Sequence, residues 1–392
     1  MSDTNAALQK KSNIKVGIRP GRTKFIKKAN PVFVTAVTIA LLALFLMPFL
    51  YMVFTSLKNQ TQVATTGAPI WPAKYPTYIY PGQNKNTYTL KVNKSGFPVD
   101  QIINMNDYAG KELEVYKVPM PNGTTKEMAL IKGYQKSSIF IDPAKPASDP
   151  IVWTGYYLSL GRSWVFAPQW SNYVEMWNDV NYPRVLWNTF FYAFMTTIGV
   201  LVSCIPVAYG FSRFRFPGRD FLFVVLLAVI FLPTTVTIIP TFTFFTKIGW
   251  VGTWWPLIVP SFFSNAYDTF LLRQYFMTLP RELDEAAMID GASPLRVLWS
   301  VIIPQSYPVI VAVIVFHLVW AWNDYFGPLV YLSSRMDLQP ISVALQRFNT
   351  LFGSRPELIQ AGSLLTLLFP LILFFVAQRF FVQGIVITGV DK

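Results

Sequence analysis

The chain has 392 residues, of which 53% are hydrophobic and only 14% charged, and its mean hydropathy is +0.37. This balance excludes an ordinary soluble domain and predicts a membrane protein. The net charge of +13 does not indicate nucleic-acid binding, because much of the basic charge flanks apolar stretches, where it sets orientation. The single cysteine, Cys204, excludes an intrachain disulfide and a cysteine-based metal cluster, and we expect it to pack against lipid or a helix.

Six apolar stretches long enough to cross a bilayer follow one another along the chain. They are 32–55, 185–211, 221–245, 254–272, 304–332 and 362–382. We therefore expect an all-α polytopic membrane protein with six transmembrane helices. The first helix, within 31–57, follows a basic segment, 1–30, and no small-residue cleavage site follows it, so we expect it to be retained.

Lys and Arg residues predict the orientation in a cytoplasmic membrane. Eight of them precede the first span, against one acid, Asp3, so the amino terminus is expected in the cytoplasm. Successive crossings then place Arg213, the segment 273–296 and the carboxyl terminus on that side as well. The loop 333–361 is assigned to the outside although it carries three arginines, which is a weak contradiction of the scheme.

The segment 58–184 predicts a β-rich extracytoplasmic insertion between the first and second spans. Within it, KELEVYKV and TKEMALIKGY flank MPNG, and Asn122-Gly123 suits the positive φ angles of a tight hairpin turn. Its end is rich in Trp and Tyr just ahead of the second span, which indicates an interfacial aromatic belt. A platform that stacks on sugar rings is the alternative.

The stretch DEAAMIDGASPLRVLWSVIIP, 284–304, is polar although it lies between two apolar spans. Acidic residues after Pro280 favour the start of a helix, and Gly291 favours the left-handed backbone conformation that ends one. Ser293 then suits the cap of a second helix, with Pro294 at its first position. The pattern predicts two helices joined by an elbow on the cytoplasmic side, with an ordinary interfacial connector as the alternative.

This stretch resembles the coupling-loop motif of ABC importer permeases, EAA-x3-G-x9-I-x-L-P, with Val301 and Ile303 as conservative departures. The stretches 188–220, LPTTVTIIP, FLLRQYFMTLPRELDEAAMIDGAS, AWND and RFFVQGIVITGVDK resemble the carbohydrate-uptake permeases, in particular the second, maltose-type subunit. The resemblance covers the first span and the chain from Trp170 onward. The insertion departs from it, because this subunit usually has a short loop there.

The resemblance implies a permease core at 185–392 with a cytoplasmic coupling loop at 278–304. Its partners would be a second permease subunit in a heterodimer, a cytoplasmic ATP-binding-cassette ATPase dimer and an extracytoplasmic solute-binding protein that delivers a sugar. The expected coupling residues are Glu285, Ala286, Ala287, Asp290, Gly291, Arg296 and Pro304.

The chain is not expected to be an enzyme. It has no G-x4-GK-[ST] phosphate loop, so ATP and Mg are expected on the partner ATPase. We expect no catalytic residue, cofactor or metal site in this chain.

Two groups of polar residues are candidates for the solute pathway. Thr234, Thr237 and Thr241 lie near Pro233 and Pro240 in the third span, where a kinked helix can face a cavity. Asn323 and Asp324 fall near the outer end of the fifth span, where an ionisable residue is a candidate for function. Threonine hydroxyls equally bond their own helix, and Asp324 equally suits a water interface. His317, the only histidine, is expected to pack between helices rather than to relay protons.

Two alternative functions remain open from the sequence. A permease for a different solute fits the coupling loop equally well. A secondary transporter fits poorly, because inverted repeats and paired intramembrane acids are not evident. The insertion is expected to form a docking ledge for the solute-binding protein, or else a contact with the partner permease.

Overall fold

The computed structural model describes residues 31–94, 97–134, 136–350 and 353–386. These residues form two units, one up to Tyr51 and one from Met52 onward. The first unit is most of helix α1 (Pro31–Ser56), an apolar helix with Pro48 in its interior. The second unit contains the β-rich insertion and the remaining helices.

Besides the end of α1, the second unit has one short helix before the strands of the insertion and its other α-helices after them. Their bounds are α2 (Gln60–Ala64), α3 (Ser171–Asp179), α4 (Tyr182–Arg213), α5 (Arg219–Ala228), α6 (Thr234–Lys247), α7 (Trp255–Ile258), α8 (Ala266–Thr278), α9 (Glu282–Ile289), α10 (Pro294–Val297), α11 (Ile303–Gln305), α12 (Tyr307–Asn323), α13 (Phe326–Tyr331), α14 (Ile341–Ala344) and α15 (Pro356–Val386).

Three helices of the described residues are long and apolar enough to cross a membrane, and two bent helix pairs raise the number to as many as five. The three are within α1, α4 and α15. One bent pair joins Pro294–Gln305 to Tyr307–Asn323 at an angle of 80°. The other joins α5 to α6 across Leu232 and Pro233, where the backbone is extended.

The fourth apolar stretch, 254–272, was expected as one helix and differs most from that expectation. It consists of α7, a 3-10 helix at Val259–Phe263 and the first half of α8. Pro260 lacks the N–H that a continuous α-helix would use, and Ser264 adopts a positive φ of 66°. The helix therefore breaks in the middle of the apolar run.

The described residues of the insertion form nine strands between residues 73 and 166. They are β1 (Ala73–Lys74), β2 (Thr77–Ile79), β3 (Thr87–Lys94), β4 (Phe97–Asn104), β5 (Glu112–Pro119), β6 (Thr125–Gly133), β7 (Ser137–Ile141), β8 (Ile151–Thr154) and β9 (Val165–Phe166). An antiparallel five-stranded sheet has the order β2-β5-β6-β7-β8, and β3-β4 and β1-β9 form separate pairs. Two further short strands, β10 (Asn349–Thr350) and β11 (Gly353–Ser354), pair with each other after α14.

The expected β5–β6 hairpin is confirmed, with Val115 opposite Ala129 and Pro119 opposite Thr125. Its turn is not the tight two-residue form, because only Gly123 has a positive φ, of 79°, among the turn residues. The proline ring of Pro121 fixes a negative φ and favours a longer loop, 120–124. Alternate side chains of these two strands pack on opposite faces, with Val115 and Ala129 in one cluster and Tyr116 and Met128 in another.

Helices α4, α8 and α12 pack around a common apolar core in the second unit. Val200, Leu272, Phe276 and Val313 are almost fully buried there. Cys204 lies in the same core with no exposed surface, and its Sγ is 3.4 Å from the backbone nitrogen of Asn265. The prediction that Cys204 packs against a helix is confirmed, and it lies against the break in the fourth apolar stretch.

An ion-pair cluster joins α3 to the start of α15. Arg355 pairs with Glu175 at 2.9 Å and with the fully buried Glu357. These carboxylates raise the pKa of the Arg355 guanidinium.

Replacing Arg355 with methionine is expected to lower the free energy of unfolding by about 1–3 kcal/mol, because Glu357 would stay buried without its partner. The thermal unfolding midpoint in detergent measures this loss, and Glu357→Gln in the same chain should restore most of it. Arg335→Met is the matched control, since the Arg335–Asp337 pair is largely exposed and should contribute under about 1 kcal/mol. Equal midpoints for both single variants would contradict the argument.

Candidate functional site

The elbow predicted around Gly291 is present. Helix α9 begins with Glu282, Asp284 and Glu285 in its first turn and ends before Gly291, whose φ is +83°. The amide of Ala292 donates to the carbonyl of Ala287 at 2.9 Å, and the amide of Gly291 donates to that of Met288 at 3.0 Å. This pair of bonds is the Schellman arrangement, in which the left-handed residue after the helix is usually glycine.

The second half of the elbow starts at Ser293, as predicted. The Ser293 hydroxyl accepts a hydrogen bond from the amide of Arg296 at 3.4 Å, and Pro294 occupies the first turn of α10. The chain continues through a π-helical turn, Leu298–Ile302, into α11, which contains Pro304. It then bends by 80° into α12, so Pro304 lies at the junction of the elbow and a span.

One face of the elbow is anchored in the apolar core. Val297, Leu298 and Ile302 are almost fully buried against Leu272 and Phe276 of α8. The half-buried Ala287 packs against the same cluster. A larger side chain at the second alanine of the EAA motif would therefore push α9 away from the core.

The other face is exposed and unusually apolar. The exposed fractions are 86% for Ile289 and 68% for both Leu295 and Trp299, and Met288 is also exposed. The coupling candidates Glu285, Ala286, Asp290, Gly291 and Arg296 are exposed beside them. A cluster of exposed large apolar residues with a polar rim is typical of a protein–protein contact surface. The motif positions do not predict that these large apolar side chains are exposed.

A buried ion pair fixes the elbow to helix α4. The Nε of Arg213, the last residue of α4, lies 2.9 Å from the carboxylate of Asp284, and both side chains are nearly buried. Both terminal nitrogens of Arg213 also donate to the carbonyl of Leu279 at 3.1 Å. Burial raises the pKa of the Asp284 carboxyl, and the nearby Arg213 and Arg281 oppose that rise. A cleft of about 260 Å³ lies between these residues and Glu285.

Sequence reasoning used Arg213 only to assign orientation and did not connect it with Asp284. The two residues are 71 positions apart, and no local pattern predicts that they meet. Asp284 itself was available as a signal, because it directly precedes the EAA triplet.

The predicted pathway threonines lie on α6, although the side chain of Thr234 is outside the described part. The Thr241 hydroxyl donates to the carbonyl of Thr237 at 2.9 Å and lies 3.0 Å from the Tyr331 hydroxyl of α13. The Thr241 hydroxyl thus bonds both to its own helix and to α13.

Asn323 and Asp324 follow each other at the end of α12 and have different surroundings. The Asn323 amide donates to the carbonyl of Val319, one turn earlier. The Asp324 carboxylate accepts a hydrogen bond of 2.6 Å from the Tyr192 hydroxyl and one from the amide of Gly327. Asp324 therefore joins α4 to the start of α13. Asn323 and Asp324 adjoin each other at the end of α12, whereas Thr237 and Thr241 lie on α6.

Comparison with known proteins identifies the family. Residues 187–386 match the model of the binding-protein-dependent transport system inner membrane component family. The chain belongs to this family. The resemblance to ABC importer permeases is thereby confirmed, and this permease is a membrane component of a transporter and not an enzyme, since the ATPase of such systems is a separate subunit.

Curated relatives match about half of the permease. It is 35% identical to an osmoprotective compounds uptake permease protein of Synechocystis over 206 residues, which are 50% of this chain and 68% of that protein. It is 33% identical to an sn-glycerol-3-phosphate transport system permease protein of Pectobacterium atrosepticum, over 55% of this chain and 79% of that one.

A solved structure has a similar fold. A chain of a bacterial ABC transporter involved in the import of the acidic polysaccharide alginate superposes with a TM-score of 0.50 and 25% identity. The match covers 57% of the permease and 84% of that chain.

Proposed function

We propose that this permease carries a sugar or oligosaccharide across the cytoplasmic membrane as one subunit of an ABC importer. A second permease subunit completes the pathway as a heterodimer, and a solute-binding protein delivers the sugar from outside. ATP and Mg bind to a partner ATPase dimer, which docks on the coupling loop 278–304.

The exposed apolar face of the elbow is the main observation that supports docking of a partner ATPase. Ile289, Leu295 and Trp299 present apolar surface to the outside of a segment whose other face is held in the core. A partner protein would remove that surface from water, at about 25 cal/mol per Å² of apolar area. Glu285, Ala286, Ala287, Asp290, Gly291, Arg296 and Pro304 are the proposed coupling residues of this docking elbow.

Two rigid connections would transmit a movement of the elbow to the transmembrane helices. Arg213 and Asp284 link α9 to the end of α4, and the bend at Ser306 links the elbow to α12. ATP-driven closure of the partner would therefore tilt α4 and α12 together and switch the pathway between its two openings.

The substrate class is supported by the relatives and not by a bound ligand. The names of the relatives mention sn-glycerol-3-phosphate and alginate, which are both rich in hydroxyl groups. A permease for a non-sugar solute is the second candidate, since one relative is named for osmoprotective compounds in general. A secondary transporter is disfavoured by the family.

The proposed topology has six spans and both termini in the cytoplasm. The broken stretch of α7 and α8 would form the fourth span, with its irregular turn covered by neighbouring helices. The insertion, 58–184, would then face the outside, where we propose that it forms a docking ledge for the solute-binding protein. Thr234, Thr237, Thr241, Asn323 and Asp324 are proposed to flank the outer part of the pathway.

Reconstitution tests the proposal directly. The permease, purified with the subunits that accompany it, is placed in vesicles containing ATP, with the solute-binding protein outside. We expect an ATPase and a second permease in stoichiometric amounts, and sugar uptake that needs both ATP and the binding protein. Sugar uptake that follows an ion gradient without ATP would contradict the proposal. Deleting 58–169 should abolish delivery while the subunits still assemble.

A further inference from the structure

In the proposed six-span topology, the break in the fourth apolar stretch lies deep in the membrane. Helix α8 runs for 13 residues from this break to the coupling loop, which corresponds to about 20 Å. The hydrocarbon core of a bilayer is about 30 Å thick. Irregular backbone at such a depth persists only where protein covers it or where it lines a water-filled cavity.

The break is held in a strained conformation by specific contacts. Ser264 is one of two non-glycine residues with a positive φ among those described, and such a conformation costs about 1–3 kcal/mol. Its hydroxyl lies 2.7 Å from that of Thr269, and the adjacent Asn265 caps α8 by accepting from the amide of Asp268 at 2.8 Å. Strain that is maintained in this way is frequent at ligand-binding sites.

A cavity of about 480 Å³ adjoins the break. This volume falls in the range of small-molecule sites, and most of the lining is apolar. The walls come from α4, α8 and α12 as well as the break itself, so the cavity lies among the helices that the elbow is proposed to move.

A small set of polar groups converges on this cavity. The Asn265 amide donates to the Asp268 carboxylate at 2.6 Å, and that carboxylate lies 3.7 Å from Nδ1 of His317. Asp268 is 4% exposed and His317 9%. Nε2 of His317 is buried and has no hydrogen-bond partner among the described residues, which is unfavourable by about 1–3 kcal/mol. A ligand hydroxyl at this nitrogen would remove that penalty.

Aromatic side chains complete the walls. Trp320 and Tyr267 both line the cavity and are 58% and 52% exposed. The Trp320 ring lies 5.3 Å from the imidazole of His317. An aromatic face beside hydrogen-bonding groups suits a sugar ring, whose C–H face is apolar and whose edge carries hydroxyls.

The charge of the cavity restricts the ligand. Its described lining residues include the carboxylate of Asp268 and neither Lys nor Arg. A phosphate or uronate group would therefore meet a buried acid and no cation. The lining therefore does not favour the anionic solutes that the names of two relatives mention, sn-glycerol-3-phosphate and the acidic polysaccharide alginate.

We propose that the cavity bounded by Asn265, Asp268, His317 and Trp320 is a subsite of this permease subunit for an uncharged polyhydroxy solute. Asp268 accepts a hydrogen bond from a solute hydroxyl, Nε2 of His317 binds a second hydroxyl, and Trp320 stacks on the ring. This subsite rests on the proposed import function and names its substrate class.

Uptake into vesicles by the whole complex, with its binding protein and ATP, tests the substrate class. The uncharged probes are radiolabelled mono- and disaccharides, and the anionic probes are sn-glycerol-3-phosphate and an alginate oligosaccharide. We expect ATP-driven uptake of an uncharged probe and none of the anionic ones. Preferred uptake of an anionic probe would overturn the subsite and leave the import function standing. Absence of ATP-driven uptake for every probe would contradict the import function and the subsite with it.

Substitutions then test the named groups. For the transported sugar, Asp268→Asn and His317→Gln should each raise KM by about tenfold to a hundredfold, because a hydrogen bond to a charged or buried group is lost. Asp220→Asn, an exposed carboxylate at the start of α5, is the matched control, and it should leave both KM and the ATPase activity without solute unchanged. If the complex with Asp268→Asn does not assemble, KM is measured for His317→Gln and Trp320→Ala instead. Wild-type KM values in the assembled variants would overturn the subsite.

A chemical readout is independent of transport. His317 is the only histidine of the chain, and its modification by diethyl pyrocarbonate is read from the mass of the proteolytic peptide that contains it. The transported sugar should slow the modification at least about threefold, and sn-glycerol-3-phosphate should not. Equal rates with and without the sugar would overturn the subsite.

Discussion

Replacement of Gly291 by valine is expected to reduce ATP-driven uptake at least about tenfold while the ATPase subunits still hydrolyse ATP. The φ of +83° places Gly291 in a region that a β-branched residue adopts only with strain, of roughly 1–2 kcal/mol or more. Apart from its two chain neighbours, no atom of the described residues lies within 4 Å of the position that a Cβ would take, so the strain of the backbone conformation is the expected cause of the effect in this subunit. The Schellman bonds at the end of α9 would loosen, and the elbow would no longer move as a unit.

Two matched variants separate this effect from general damage. Gly291→Asn should retain most of the uptake, because asparagine tolerates the left-handed region. Gly249→Val introduces the same kind of strain, at a φ of +74° with equally open surroundings, but at the end of α6 and outside the coupling loop. It should leave the ratio of solute transported to ATP hydrolysed unchanged. If Gly291→Val also leaves the ratio of solute transported to ATP hydrolysed unchanged, the elbow is not the coupling element.

Replacement of Arg213 by methionine is expected to have the second large effect. It removes the partner of the Asp284 carboxylate, whose side chain is only 11% exposed, as well as two hydrogen bonds to the carbonyl of Leu279. Leaving a buried charge unpaired costs about 3–5 kcal/mol. We expect a lower yield of assembled complex and poor coupling in the fraction that assembles, both measurable by ATPase and uptake assays on the same preparation.

A double-mutant cycle and a pH series distinguish the lost ion pair from lost packing. Adding Asp284→Asn to Arg213→Met should recover a substantial part of the loss, with an interaction energy of about 1–3 kcal/mol. The pKa of Asp284 is already raised by burial, and removing Arg213 raises it further. The folded state then binds more protons than the unfolded state, so the stability of Arg213→Met should rise as the pH falls from 8 toward 5. Additive losses and a flat pH response would refute the ion pair's role.

The coupling elbow was predictable from the sequence because its signals are local. Gly291 supplies a left-handed residue, and Ser293 and Pro294 supply a cap and a first turn within three positions. The β5–β6 hairpin was predictable for the same reason, although the ring of Pro121 lengthened its turn. The exposed apolar face of the elbow could not be predicted, because it depends on which side of α9 and α10 meets the core.

The remaining features depend on contacts between distant parts of the chain. The Arg213–Asp284 and Tyr192–Asp324 pairs join different helices. Hydropathy alone predicted a continuous fourth span, whereas Ser264 and Asn265 interrupt it. The Asn265-x-x-Asp268 spacing was a capping signal available in the sequence. The strand order of the insertion, with β2 beside β5, follows from packing that no short pattern encodes.

Site-directed cross-linking tests the coupling claim most directly. Cys204 is buried and is the only native cysteine, so an introduced cysteine at the exposed Ala286 is the accessible thiol of this subunit. In the assembled complex, Ala286→Cys should cross-link to the ATPase through a short thiol-to-amine reagent, and ATP should change the yield. Ser333→Cys, exposed in the loop expected outside, should give no such product. Cross-linking of Ser333→Cys but not Ala286→Cys to the ATPase would contradict the account.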